Sequence, residues 1–350
     1  MPAVPANTNS RVLVTGANGY VAMWLVRVLL EQGYFVRGTV RSESKGKQLN
    51  EHFGSYGDKF EWVVVNDITK EGAFDEFVRD VDAIEHTASP VSPENQEDPQ
   101  EYIRPAVQGT LSVLTSAMKF GTNVKRVVVT SSVAALLRTV NGLTILDEKD
   151  WGDEFVKAAE ELGTKADGIL KYLASKTLSE RATWEFYEKH KAKLGWDLVV
   201  LNPSHVIGPP LQDFRNLGEE TLSLQRWYNF ACQDQDDDFL KTTYNYVDVR
   251  DVAAAHVEAI KKEAAGGERI IVSADSSTWQ DTRNMMFSLR PDLYTSGVLP
   301  RGNPELKSEI LLVLNSQKVQ NILGIKYKSL EESTLATLAE YETRGLLGQK

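Results

Sequence analysis

The sequence predicts an α/β fold: a doubly wound parallel sheet of about seven strands, carrying a smaller C-terminal substrate lobe. Three observations predict it. Short β-branched runs alternate with longer helical stretches from Arg11 to Asn202, a glycine-rich turn separates the first run from the first helix, and the alternation breaks down after Asn202. Strands that alternate with helices pair in parallel, with helices covering both faces of the sheet.

The runs RVLVTG, YFVRGTV, FEWVVVND, DAIEHTA and VKRVVVTS each read as a strand between polar or turn residues. Helical patterns lie between them at Tyr20 to Gln32, Ser42 to Phe53, Ala73 to Arg79 and Pro105 to Phe120. A long helix around Ala174 to Lys193 leads to a sixth strand, WDLVVLNP, and a helix at Val249 to Lys262 leads to a seventh, ERIIVSA. This divides the chain into a loose polar tail (1–10), a dinucleotide-binding domain (11–203, with 246–274 returning to it), and a substrate lobe from 204–245 and 275–350. The acidic stretch QDQDDDF in that lobe reads as a solvated loop, because consecutive carboxylates repel and no histidines stand near them.

Composition narrows the function. The chain has 350 residues, ample for a core, and a net charge of −10, which supplies no basic face for nucleic acid. Its single cysteine, Cys232, forms no internal disulfide. No apolar run is long enough for a membrane span, and no signal peptide opens the sequence. A cytoplasmic protein, monomer or homodimer, is the expectation.

The motif VLVTGANGYVA follows the first strand and opens the first helix, as a dinucleotide fingerprint must. Gly16 takes the tight turn, Gly19 lets the backbone approach a pyrophosphate, and Ala22 is small enough for close helix packing. The free N–H groups and dipole of the helix start then favour the anion. This is the Rossmann arrangement. An NAD site needs an acid at the end of the second strand, yet that stretch reads Val36-Arg37-Gly38-Thr39-Val40-Arg41. Arg41 stands where a 2′-phosphate would lie, with Arg37, Lys45 and Lys47 adding positive charge, so NADPH is expected over NADH. Asp67, ending the third strand, either accepts from an adenine amino group or caps its own turn.

The chemical residues come later. Thr130-Ser131-Ser132 ends a strand, at the sheet edge where such folds bind ligands. Tyr172 and Lys176 stand four apart on a helical pattern and so share one face. Carbonyl reduction needs this set. A phenol with a pKa of about 10 is a weak acid near neutrality, and a neighbouring ammonium stabilises its phenolate. Ser132 can polarise the carbonyl oxygen, and Lys176 can reach the ribose. The scattered histidines show no zinc spacing, and no G-x-S-x-G elbow exists. His86 reads as structural, and His205 as facing either the cleft or the core.

Together and in this order, VTGANGYVA, the HTASP of His86 to Pro90, TSS, YxxSK, NPSHVIGP and YVDVRDVAAAH resemble the extended short-chain dehydrogenase/reductases of the NAD-dependent epimerase/dehydratase superfamily. The resemblance spans nearly the whole chain. It is to the branch holding plant dihydroflavonol and cinnamoyl-CoA reductases and fungal aldehyde and ketone (methylglyoxal) reductases. It implies an NADPH-dependent carbonyl reductase with Ser132, Tyr172 and Lys176 as catalytic triad. It also implies cofactor contacts from Gly16, Asn18, Gly19, Tyr20, Arg41, Asp67, Ile68, Thr87 and Pro203, and substrate contacts at Val91, Leu137, Ile169 and His205. Several of those last positions are aromatic in the yeast relatives and aliphatic or histidine here. A sugar-nucleotide epimerase or dehydratase would share the triad, and an inactive NADPH-binding regulator is the non-enzymatic alternative.

Overall fold

The β-branched runs become strands because alternate residues bury on opposite sheet faces. Val12 and Val14 join one apolar cluster while Leu13 joins the other, and Val128 is likewise separated from Val127 and Val129. The computed structural model describes residues 3–6, 9–89, 98–214, 216 and 221–348.

The first half contains β1 (Arg11–Thr15), α1 (Tyr20–Glu31), β2 (Phe35–Val40), α2 (Glu43–Phe53), β3 (Phe60–Val64), β4 (Ala83–His86), α3 (Gln100–Phe120) and β5 (Arg126–Thr130). Next come β6 (Thr144–Leu146), α4 (Asp153–Leu162), α5 (Gly168–His190), β7 (Asp197–Pro203) and β8 (His205–Ile207). The remainder holds α6 (Leu222–Trp227), α7 (Asp237–Leu240), β9 (Thr243–Asp248), α8 (Val249–Lys261), β10 (Arg269–Val272), β11 (Asp275–Thr278), α9 (Trp279–Leu289), α10 (Pro291–Thr295), β12 (Leu312–Leu314) and α11 (Leu330–Thr343).

All seven expected strands form one sheet, ordered β10-β7-β5-β4-β1-β2-β3, and every pairing is parallel. This is a Rossmann sheet. Its order reverses between β1 and β4, which opens a ligand crevice at their C-terminal ends. Helices α1 and α8 pack together on one face, and α3 packs against α5 on the other. The lobe has its own small sheet, β11-β9-β8, over an aromatic core that includes Trp227, Tyr244, Trp279 and Tyr341. Residues 246–248 therefore pair within the lobe, while 249–272 supply α8 and the edge strand β10 of the main sheet.

Three local expectations are corrected. Residues 73–79 form successive turns rather than a helix: Ala73, Asp75 and Phe77 donate to carbonyls three residues back. Phe74 and Val78 are buried at a helical spacing, which imitates an amphipathic helix. Helix α3 begins at Gln100, so Pro105 lies inside it rather than at its start. The first residues are not uniformly loose, because Val4 is fully buried, donates to Ile260 O at 2.8 Å and accepts from the Tyr34 hydroxyl at 2.8 Å.

Candidate active site

The glycine-rich turn sits at the crevice. Gly16 has φ +64°, and a Cβ there would lie 3.0 Å from Ala88 Cα, so only glycine fits. Gly19 donates to Gly16 O at 2.8 Å and starts α1, whose first turn has neither a side-chain cap nor an acidic residue. The N–H groups there remain available for an anion. A pocket of about 230 Å³ opens beside the turn, lined among others by Asn18, Gly19, Lys45, Gln48 and His52. The Tyr20 hydroxyl is spent on Gly208 O at 2.6 Å, which leaves its backbone for a cofactor.

The basic patch is smaller than expected. Arg37 points back along the sheet and pairs with Glu61 at 2.8 Å and Asp80 at 2.5 Å, so it takes no part in it. Arg41 and Lys45 are exposed at the end of β2 and the start of α2, and neither makes an ion pair among the described residues. Asp67 caps its own turn, accepting from Thr69 N at 2.9 Å and Thr69 Oγ1 at 2.6 Å. Those two bonds hold its carboxylate below the usual range. Ile68 packs on α3, where a Cβ at Gly109 would be 2.8 Å from its Cδ1. The Thr87 hydroxyl donates to Thr15 O at 2.5 Å, and Pro203 is buried at the end of β7. These residues fit a phosphate-bearing dinucleotide: a bare helix start, a Cβ-free turn and two unpaired cations.

The long helix α5 carries Tyr172 and Lys176. Asp167 caps it by accepting from Leu170 N at 2.7 Å. Tyr172 and Lys176 are half-buried, with Lys176 Nζ 6.0 Å from the centroid of the Tyr172 ring. Lys176 also donates to Ser89 Oγ at 3.3 Å, reaching toward the strand end that bears His86. Ser132 starts the short turn Val133–Ala135, which packs against α5, and its Oγ accepts from Ala134 N at 3.1 Å. The structure thus packs the turn that Ser132 starts against the helix that carries Tyr172 and Lys176.

The predicted substrate contacts are less uniform. Leu137 is half-buried after the Ser132 turn, and Ile169 is 58% exposed one helical turn before Tyr172. His205 packs edge-on against Tyr244 and Trp279, with ring centroids 6.1 and 5.9 Å away. Burial, assisted by Arg226, pushes its pKa down to about 4, so the imidazole is neutral. Val91 lies outside the described residues.

His86, read from the sequence as structural, is tied at the end of β4 to Thr15 Oγ1. Two residues not singled out from the sequence also support this site. His256 bridges Glu85 Oε2 at 2.7 Å and Thr130 Oγ1 at 3.1 Å, bracing the strand that precedes Ser132. Glu180, buried beneath Lys176, gathers donors from the residue after β5 and from β7 and β10. Its signal was its place four residues after Lys176 on the same face.

The sequence profile of the NAD dependent epimerase/dehydratase family matches residues 12–273. The chain belongs to this family. Within it, the NADPH-dependent methylglyoxal reductase of Saccharomyces cerevisiae is 31% identical over 356 residues, 95% of this chain and 99% of the yeast protein. A cinnamoyl-CoA reductase of Medicago truncatula is 33% identical over 337 residues, 95% of this chain and 96% of its own length. A crystal structure of the yeast methylglyoxal/isovaleraldehyde reductase complexed with NADPH superposes with a TM-score of 0.84 at 32% identity, covering 96% of this chain and 99% of that one. Among the described residues, no helix of this family member is long and apolar enough to cross a membrane.

Proposed function

We propose that this chain is an NADPH-dependent carbonyl reductase that converts a small aldehyde or ketone to an alcohol. The observation that carries the reading is Lys176 beside Tyr172 on α5, packed against the turn of Ser132 in a crevice that begins with a phosphate-ready glycine turn. The relatives named as NADPH-dependent reductases support it.

NADPH, when bound, supplies the hydride. The backbone of Gly16, Asn18, Gly19 and Tyr20 would receive the pyrophosphate, while Arg41 and Lys45 would take the 2′-phosphate. Asp67 and Ile68 would hold the adenine, and Thr87 and Pro203 would contact the cofactor nearer its reacting end. Ser132 Oγ already accepts from Ala134 N, so its own proton is left to donate to the substrate oxygen. Tyr172 gives its phenolic proton to the developing alkoxide. Lys176 stabilises the phenolate that results and would hold a ribose hydroxyl. Leu137, Ile169 and His205 border the substrate. The lone cysteine, buried and unable to form an internal disulfide, supports a cytoplasmic location.

The test is loss of NADPH absorbance against a carbonyl panel containing methylglyoxal, aliphatic and aromatic aldehydes, β-keto esters and a dihydroflavonol. Turnover is expected with NADPH well above NADH, and Tyr172→Phe should reduce it about 10²- to 10⁴-fold while NADPH still binds. Undiminished turnover by Tyr172→Phe would remove the tyrosine from its role. A nicotinamide retained through purification, with no turnover on the panel, would favour the epimerase reading.

A further inference from the structure

The polar residues beneath the site converge on one carboxylate. Glu180 lies four residues after Lys176 and eight after Tyr172, so it continues their helical stripe one turn deeper. It is 2% exposed, and its two oxygens accept four donors. Oε2 receives Ser131 Oγ at 2.6 Å and Asn202 Nδ2 at 2.6 Å. Oε1 receives Arg269 Nε at 2.5 Å and Trp184 Nε1 at 3.4 Å. Arg269 is itself fixed by the carbonyls of Glu148 and Asp150, at 2.9 and 2.6 Å, and stacks 3.8 Å from the Trp151 centroid.

Asn202 makes this more than an internal ion pair. Its Nδ2 carries two protons; one goes to Glu180 and the other to the backbone carbonyl of Ser132, at 3.1 Å. Ser131, the residue before it, is held by Glu180 through its side chain and by Leu201 O through its N–H at 2.8 Å. The backbone on both sides of the Ser131–Ser132 bond is therefore referenced to a side chain rooted in the helix of Tyr172 and Lys176. A hydride acceptor must be placed against hydroxyl, phenol and ammonium together, and displacements of about 1 Å can cost about 10²-fold in rate.

We propose that Glu180 is a positioning residue for carbonyl reduction: through Asn202 and Ser131 it fixes the distance between Ser132 on the β5 end and Tyr172 on α5. Arg269 pairs with the buried carboxylate, whose two oxygens accept all four donors. The proposal rests on the roles given above to Ser132 and Tyr172.

The experiment is a double-mutant cycle on the full-length enzyme with a carbonyl substrate identified from the panel. Glu180→Gln is expected to lower kcat about 10- to 100-fold, leaving the Kd for NADPH within about twofold. In a Ser132→Ala background the same change should cost less than about threefold, because the group it positions is gone. A general loss of folding would not show that dependence. Asp197→Asn provides the comparison, since Asp197 pairs with the buried Arg126 at 2.6 Å at the opposite end of β7. With a similar fall in Tm it should keep kcat within about twofold. Should Glu180→Gln not fold, Asn202→Ala takes its place in the cycle, with the same dependence on Ser132 expected. Equal penalties in the two backgrounds, or an undiminished kcat, would overturn the proposal. Full turnover by Tyr172→Phe would instead bring down the underlying catalytic reading, so the two failures are separable.

Discussion

His86 Nδ1 lies 2.9 Å from Thr15 Oγ1, and this bond ties β4 to β1 directly beneath the glycine-rich turn. Thr15 Oγ1 also accepts from Ala88 N at 3.1 Å, so the hydroxyl organises both the strand end and the loop that follows. The imidazole is 2% exposed. Burial, reinforced by the charge of Lys176, pushes its pKa down to about 3, and His205 is pushed to about 4. Both are neutral in the native protein under ordinary conditions.

A pH dependence of stability follows. An unfolded histidine titrates near pH 6.5, so below that value the unfolded chain binds protons that the native one refuses. Stability is therefore full above about pH 6.5 and falls as the pH drops. Each histidine contributes a slope of up to about 1.4 kcal/mol per pH unit. The His205 part levels off near pH 4 and the His86 part near pH 3. Urea unfolding midpoints between pH 7 and pH 4.5 measure the slope, and carboxylates common to both proteins cancel in a comparison with His205→Phe. That variant should lose close to half of the histidine-dependent slope; an unchanged slope would mean that His205 is accessible to protons in the native state.

The two arginines of the second strand region make opposite predictions. Arg41 is exposed without an ion pair among the described residues, whereas Arg37 is engaged by Glu61 and Asp80. Arg41→Ala should raise the Kd for NADPH about 10- to 100-fold, the value of one charge-assisted contact, and leave NADH binding nearly unchanged. Arg37→Ala should leave the cofactor preference alone. Its ion pairs have half-exposed partners, so the stability cost is about 1 kcal/mol or less. Fluorescence titration of both variants with both cofactors decides the matter. Equal losses of NADPH and NADH affinity in Arg41→Ala would remove it from the 2′-phosphate site.

The strands were legible in the sequence because parallel strands buried on both faces leave continuous β-branched runs such as VVV at Val127 to Val129. The segment at 73–79 misleads because Phe74 and Val78 bury at helical spacing while the backbone between them only turns. The proposed triad rests on motif and spacing. Its supports could be read only in part: spacing puts Glu180 on the face of Lys176, but nothing local reveals that it meets Ser131 just after β5, Asn202 on β7 and Arg269 on β10. Arg37 and Arg41 were likewise indistinguishable as cations. Only the tertiary placement of Glu61 and Asp80 separates one from the other.

Gly16 and Gly57 separate two reasons for a glycine. Both adopt positive φ, +64° and +58°, so alanine at either should cost about 1–3 kcal/mol in backbone strain. At Gly57 an added Cβ meets nothing within 4 Å, whereas at Gly16 it meets Ala88 Cα at 3.0 Å and Ala88 Cβ at 3.1 Å. Relief at Gly16 must move the turn or the Ala88 loop, and the turn is the surface that would receive the pyrophosphate. Gly16→Ala should therefore weaken NADPH at least about 10-fold in addition to lowering Tm, while Gly57→Ala lowers Tm with NADPH affinity intact. Isothermal titration beside thermal melts gives both quantities for each variant. If both variants bind NADPH like the parent, the Gly16 turn is a packing device and the cofactor approaches from elsewhere in the crevice.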